Sequence, residues 1–405
     1  MYERTRTEGW NQLLTTGMAI DGDEAWFSNN IFNGLFRVDL RTEEIQFVTM
    51  IPNERIRIFL LYSKCHIWKD QVVLIPANAD HMSVYDRKTK EISQYKIVDD
   101  KGETVKGFFT SWQRDNDIYF ISLRKPIIVR FDVDEQKIDV YSGWDNAIRS
   151  RECQYSKFFW GEILVEEGYI YIPCQYMNCI CRVDLEHNNS KMIEIDANIT
   201  GIYTICRCQE KHYISTLAGE VFEVDLNAEN VTPKQVGYVA GGFCRSIVIG
   251  EDIYFFPKAA RSIYRYSTAS RKMESCFEDD LYDEEAWKPV ARSFYYYNNS
   301  YYQMVEKIDD NVWIFMLSNG YLYWLSNGDI KNKREMYCST NEVPLCILDS
   351  DYPEIYVESC DKDNILRNSL SAFLQILDNE TKQLKSQEQA IIGEKIYESI
   401  IGRRV

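Results

Sequence analysis

The stretch MSVYDRKTKEI, beginning at Met82, is one of seven variants of a single phrase. LFRVDLRTEEI, IVRFDVDEQKI, ICRVDLEHNNS, VFEVDLNAENV, IYRYSTASRKM and LYWLSNGDIKN are the others. Aligned on Asp39, Asp86, Asp132, Asp184, Asp225, Ser267 and Ser326, they recur about every 48 residues. A period of that size means one supersecondary unit, unable to bury its apolar faces alone, stacked on copies of itself. No other feature narrows the fold as much.

The position four before each anchor tests the alignment independently. It holds Leu35, Met82, Ile128, Ile180, Val221, Ile263 and Leu322, all apolar. Two before the anchor stand Arg37, Arg130, Arg182 and Arg265, as expected where a strand leaves the core and long side chains reach water. The anchor Asp can accept hydrogen bonds from backbone N–H groups just after it and so close a turn. A second β-rich pair precedes every phrase, for example QRDNDIYFIS and VIGEDIYFF. Each repeat therefore reads as four short antiparallel strands, apolar on both faces because neighbours cover both. The expected fold is all-β, a seven-bladed β-propeller of four-stranded antiparallel blades over residues 1–345, with a short C-terminal extension over 346–405 that is mainly α-helical from about residue 364.

Through its recurring IYFxP…I.RYD..T signature, over roughly residues 11–340, the chain resembles the bacterial seven-bladed propellers of the broad NHL, kelch-like and quinoprotein-like type. It lacks the Gly-His and Trp-Asp marks of WD40 repeats and the Gly-Gly of kelch. The resemblance implies an architecture that serves lyases, hydrolases and protein-binding platforms alike.

Acids outnumber bases 62 to 46, a formal charge of −16, which disfavours nucleic acid because that affinity comes from neutralising phosphates. The first twenty residues mix charges before any apolar run, unlike a signal peptide, and no stretch is long and apolar enough to span a bilayer. Twelve cysteines in such a chain read as reduced thiols, and the expected location is cytoplasmic.

Two segments depart from the repeat. Residues 278–285 hold six acids in eight positions and read as a solvated loop, without the ligand alternation of an EF-hand. From about residue 364, Leu366, Leu370, Phe373, Leu377, Leu384 and Ile391 form a heptad-like stripe. That stripe would pack on the propeller, bind a partner or drive oligomerisation. Closure of the ring is expected from residues 1–12 or from the strand-like PLCILD.

Common catalytic signatures are absent: no G-x-S-x-G, no phosphate loop, no G-x-G-x-x-G and no H-E-x-x-H. Four histidines are too few for a multi-histidine metal centre, and no cofactor is expected. Cys174, Cys179, Cys181, Cys206 and Cys208 invite a metal reading, but C-x-C within strands more often fills space.

The loops between the second and third strands of each repeat open on the same face as the connections between repeats, where function gathers. They carry Arg124, Lys125, Lys258 and Arg261, with Asn29, Asn78, His81, Gln175, Tyr176 and Asn178 as neutral hydrogen-bonding groups. Such a ring suits an anionic or hydroxylated ligand, a carboxylate, phospho-sugar, glycan or peptide, and binding is favoured over catalysis. One alternative is a lyase or hydrolase in the mouth, with His81 and Tyr176 transferring protons and Arg124 as electrophilic anchor. The other is a scaffold working through its C-terminal helices. The partner is a protein, a peptide or a polar small molecule.

Overall fold

The computed structural model describes residues 10–56, 60–123, 125–142, 162–166, 168–174, 178–195, 199, 201–228, 231–239, 242–257, 262–277, 302–317 and 320–339. Seven four-stranded antiparallel sheets occupy 18–49, 62–95, 108–141, 164–194, 202–238, 243–276 and 302–335, blades 1 to 7 of a β-propeller. Within each, the strands pair in sequence order, first to fourth. The C-terminal stripe, the acidic run and PLCILD lie outside the described residues.

Alternation along each strand sends successive side chains to opposite neighbours. Ala25 and Phe27 pack toward blade 7 with Met304, Ile314 and Leu322, while Trp26 between them joins Leu61, Val72 and Tyr85 of blade 2. Buried side chains gather in seven clusters, one for each interface of the ring, the seventh joining blades 7 and 1. This explains why both faces of every repeat are apolar.

Among the described residues no blade borrows a strand from the far end of the chain. The ends are instead clasped by a two-stranded antiparallel pair, Trp10–Gln12 with Tyr337–Ser339, continued by Leu13 N–H donating to the Met336 carbonyl at 2.8 Å. The N-terminal segment thus supplies the clasp.

The repeated acid closes the turn between the third and fourth strands. Asp86 Oδ1 accepts from the N–H groups of Lys88 (2.8 Å) and Thr89 (2.9 Å), and Asp39 Oδ1 from Arg41 (2.9 Å) and Thr42 (2.7 Å). These backbone donors are the chief reason that both carboxyls sit below the ordinary Asp range.

Candidate functional site

The innermost strands begin at the loop face, and there the ladder is irregular. Blades 2, 3, 5, 6 and 7 each carry a register shift at the second residue, between Tyr62 and Lys64, Phe108 and Thr110, Ile202 and Thr204, Phe243 and Arg245, and Tyr302 and Met304. A bulge bends its strand and re-aims the next side chain. In blades 2 and 6 that next residue is a cation, Lys64 or Arg245.

Lys64 reaches past blade 1 to Glu306 of blade 7, with Nζ 2.7 Å from Oε2. Its stem lies on Gly17, where a Cβ would stand 2.8 Å from Lys64 Cγ and 3.1 Å from the Ser63 carbonyl oxygen. The missing side chain at Gly17 is what lets the pair cross. Opposite, Glu162 at the entry to blade 4 donates its N–H to Tyr203 of blade 5 (3.1 Å). Its Oε2 accepts from Ser246 N–H (2.8 Å) and Oγ–H (3.0 Å) of blade 6. Two contacts that each skip a blade place these groups at the central channel.

Glu162 retains some surface toward the channel yet is surrounded by protein. Burial pushes its carboxyl above the ordinary Glu range, against the opposing pull of Arg245, the Ser246 donors and the charge of Lys64. An acid raised by folding contributes stability below its unfolded value of 4.5 and loses it as pH rises through the folded value. Glu162→Gln keeps an acceptor for Ser246 and removes the buried charge. Its melting temperature should match or exceed the parent's at about pH 8, with the gap closing toward about pH 4. A Gln variant less stable than the parent at the higher pH would mean that attraction to Arg245 and Lys64 outweighs burial.

The loop face is organised by residues that the sequence reading passed over. Asn33 of SNNIFNG is fully buried; its Nδ2 donates to the Ile51 carbonyl (2.8 Å) and its Oδ1 accepts from Ile51 N–H (3.0 Å), so its amide acts as a strand partner. This pins the segment carrying Glu54. The Glu54 carboxylate, 1% exposed, accepts from Asp80 N–H (3.0 Å) and His81 N–H (2.9 Å), with His81 Nδ1 at 3.1 Å. The signal available was a polar Pro52-Asn53-Glu54 stop between blades.

The expected ligand groups are therefore partly committed to structure. His81 is oriented by Glu54, Asn78 Nδ2 donates to the Leu60 carbonyl (3.2 Å), and Asn29 Oδ1 accepts from Leu14 N–H (3.0 Å). Lys125 lies between Asp99 (2.6 Å) and Glu103 (2.7 Å), so its charge is compensated. The Asn178 main-chain carbonyl accepts from Ile195 N–H (2.9 Å), which holds the backbone and leaves the side-chain amide uncommitted by that bond. Arg124, Gln175, Tyr176, Lys258 and Arg261 lie outside the described residues. Beside Asn33, the buried Ser28 Oγ, Asn29 Nδ2 and both side-chain polar atoms of Asn30 find no partner among the described residues.

These five cysteines lie in the blades. Cys174 and Cys179 face each other across neighbouring strands and are buried with Cys181 between blades 3 and 4, whereas Cys206 and Cys208 are buried between blades 5 and 6. Burial lifts the Cys181 thiol to about 12, which favours the neutral form over the thiolate that a metal needs. Among the described residues no three His, Cys, Asp or Glu side chains gather as a metal site.

Fold and channel together define a seven-bladed β-propeller with a charged, bulge-shaped mouth. Neither a family model nor the sequence of a curated protein matches the chain. Among solved structures it is similar to virginiamycin B lyase from Staphylococcus aureus, at 14% identity and TM-score 0.56, covering 78% of this chain and 98% of that one. It is similar also to YCF48 bound to D1 peptide, at 10% identity and TM-score 0.55, covering 79% of this chain and 97% of that one. A computationally designed protein, Ika8, matches at 9% identity and TM-score 0.51, covering 82% and 90%. At such identities the likeness shows the propeller and nothing finer.

Proposed function

We propose that this propeller is a binding protein that takes a polar ligand, a peptide or a hydroxylated small molecule, at the loop-face end of its channel. The observation that carries this reading is the convergence of Lys64, Glu162, Arg245 and Glu306 from blades 2, 4, 6 and 7. Two cations and two carboxylates balance one another, which suits a ligand rich in both donors and acceptors rather than a bare anion. The unpartnered Ser28, Asn29 and Asn30 groups support it, since a buried polar atom left unpaired costs about 1–3 kcal/mol and a ligand can recover that. The peptide held by one similar propeller is in keeping with this use of the fold.

A second reading, elimination catalysed in the mouth, draws on Glu162, whose raised carboxyl is suited to proton transfer, and on the lyases among similar structures. One screen serves both. Short peptides and polyols are tested for thermal stabilisation of the parent, and hits are repeated with Glu306→Gln and Asn30→Ala. Channel binding predicts that hits weaken by about tenfold or more in either variant, the loss expected when a charged or buried hydrogen bond is removed. Hits that bind parent and variants equally would place the ligand elsewhere. Hits consumed by the parent and untouched by Glu162→Gln would favour the enzyme.

A further inference from the structure

The repeats act as internal controls for one another, and one inter-blade cleft differs from its equivalents. In four blades an Arg of the third strand stands opposite an aromatic residue of the second: Arg37 and Trp26, Arg130 and Tyr119, Arg182 and Tyr171, Arg265 and Tyr254. The fourth-strand residue opposite that Arg is Asp139 in blade 3 and Glu274 in blade 6. Arg130 accordingly meets Asp117 (2.9 Å), Asp139 (3.1 Å) and Asp132 (3.4 Å), and Arg265 meets Glu274 (3.1 Å) and Asp252 (3.9 Å). Arg182 lies opposite Lys191 and covers the Tyr169 ring, 4.7 Å from its centroid.

In blade 1 the position is neutral, Gln46. Arg37 there has one carboxylate, Glu24 at 2.8 Å, and an amide oxygen of Gln46 at 2.8 Å. Glu24 is itself shared, with Trp26 Nε1 at 3.2 Å and Arg87 at 3.8 Å. Facing this underpaired arginine is the turn of blade 2, Arg87-Lys88-Thr89-Lys90, with three cations; none of the other six turns holds more than one. Arg87 is bound to Asp21 (2.7 Å) and Lys88 to Asp70. The Lys90 ammonium rests on the Arg87 carbonyl, and no carboxylate pairs with it among the described residues.

Between them opens a cleft of about 500 Å³, floored by the buried Trp26 and Tyr85 with ring centroids 5.8 Å apart. Four cations line it against two carboxylates, Glu24 and Asp70, in a chain whose formal charge is −16. We propose that this cleft, at the turn end of blades 1 and 2, binds a small ligand bearing an oxyanion, a carboxylate or a phosphate. Arg37 presents its fork beside Gln46, Lys90 supplies a point charge, and the apolar floor strengthens both by lowering the local dielectric. The volume suits a small molecule. This site is on the opposite face from the channel mouth and does not depend on the reading of that mouth.

The test uses the full chain and titration calorimetry with pyrophosphate and with citrate, which separate phosphate from carboxylate preference. Gln46→Glu supplies the carboxylate that Asp139 and Glu274 give the equivalent arginines, removes no cation and adds an ion pair, so folding is retained. At least one anion should bind the parent one to one, and Gln46→Glu should weaken it by about tenfold or more, as expected for satisfying the anchoring cation. Lys90→Gln should weaken it several-fold, and Glu306→Gln in the channel should leave it unchanged. Failure of both anions to bind the parent would overturn the proposal. So would Gln46→Glu and Lys90→Gln binding as tightly as the parent.

Discussion

Gly219→Ala is expected to destabilise the protein by about 3–5 kcal/mol, combining a strained backbone angle with overpacking against immovable atoms. Gly219 ends the second loop of blade 5 with φ at +101°, outside the range comfortable for any L side chain. A Cβ there would stand 1.7 Å from the Val239 carbonyl oxygen and 2.7 Å from its carbon. That carbonyl belongs to the segment leading into blade 6, and the Val239 N–H donates back to the Gly219 carbonyl at 2.7 Å. Neither side can yield without losing the hydrogen bond that joins them. Thermal unfolding with soluble yield is the measurement; an alanine variant melting within a degree or two of the parent would show that the two loops are not in contact.

Asn33→Ala should cost about 2–4 kcal/mol, the sum of two buried hydrogen bonds whose backbone partners are left unsatisfied. Asn33 and Ile51 are both almost wholly excluded from solvent, so water cannot replace the amide. The effect should also spread. Loosening Ile51 frees the segment carrying Glu54, and with it the anchorage of Asp80 and His81, so hydrogen exchange at those two N–H groups should accelerate in step. Lost stability without faster exchange there would uncouple the two loops.

What could be read from the chain was governed by local chemistry repeated seven times. Apolar alternation defines strands, Asp39 and its counterparts define turns because a carboxylate reaches its own following N–H groups, and the period counts the blades. Lys125 illustrates the limit. By composition it is a spare cation on a loop, but Asp99 and Glu103, more than twenty residues earlier, neutralise it. The turn RKTK, legible from sequence as the hairpin turn that Asp86 closes, faces Arg37 and Gln46 of the preceding blade and becomes the wall of a cleft.

The number of blades, the strand order within each and the acids that close the turns were legible in the chain, since each follows from residues a few positions apart and their repetition. Which charges meet depends on how the blades assemble. The bulges that aim Lys64 and Arg245, the gap at Gly17 that lets Lys64 reach Glu306, and the approach of the blade 2 turn to Arg37 and Gln46 act between blades. Lys64 meets Glu306 because closing the ring brings blade 7 to blade 1, the other groups meet where blades stack around it, and no local pattern encodes those juxtapositions.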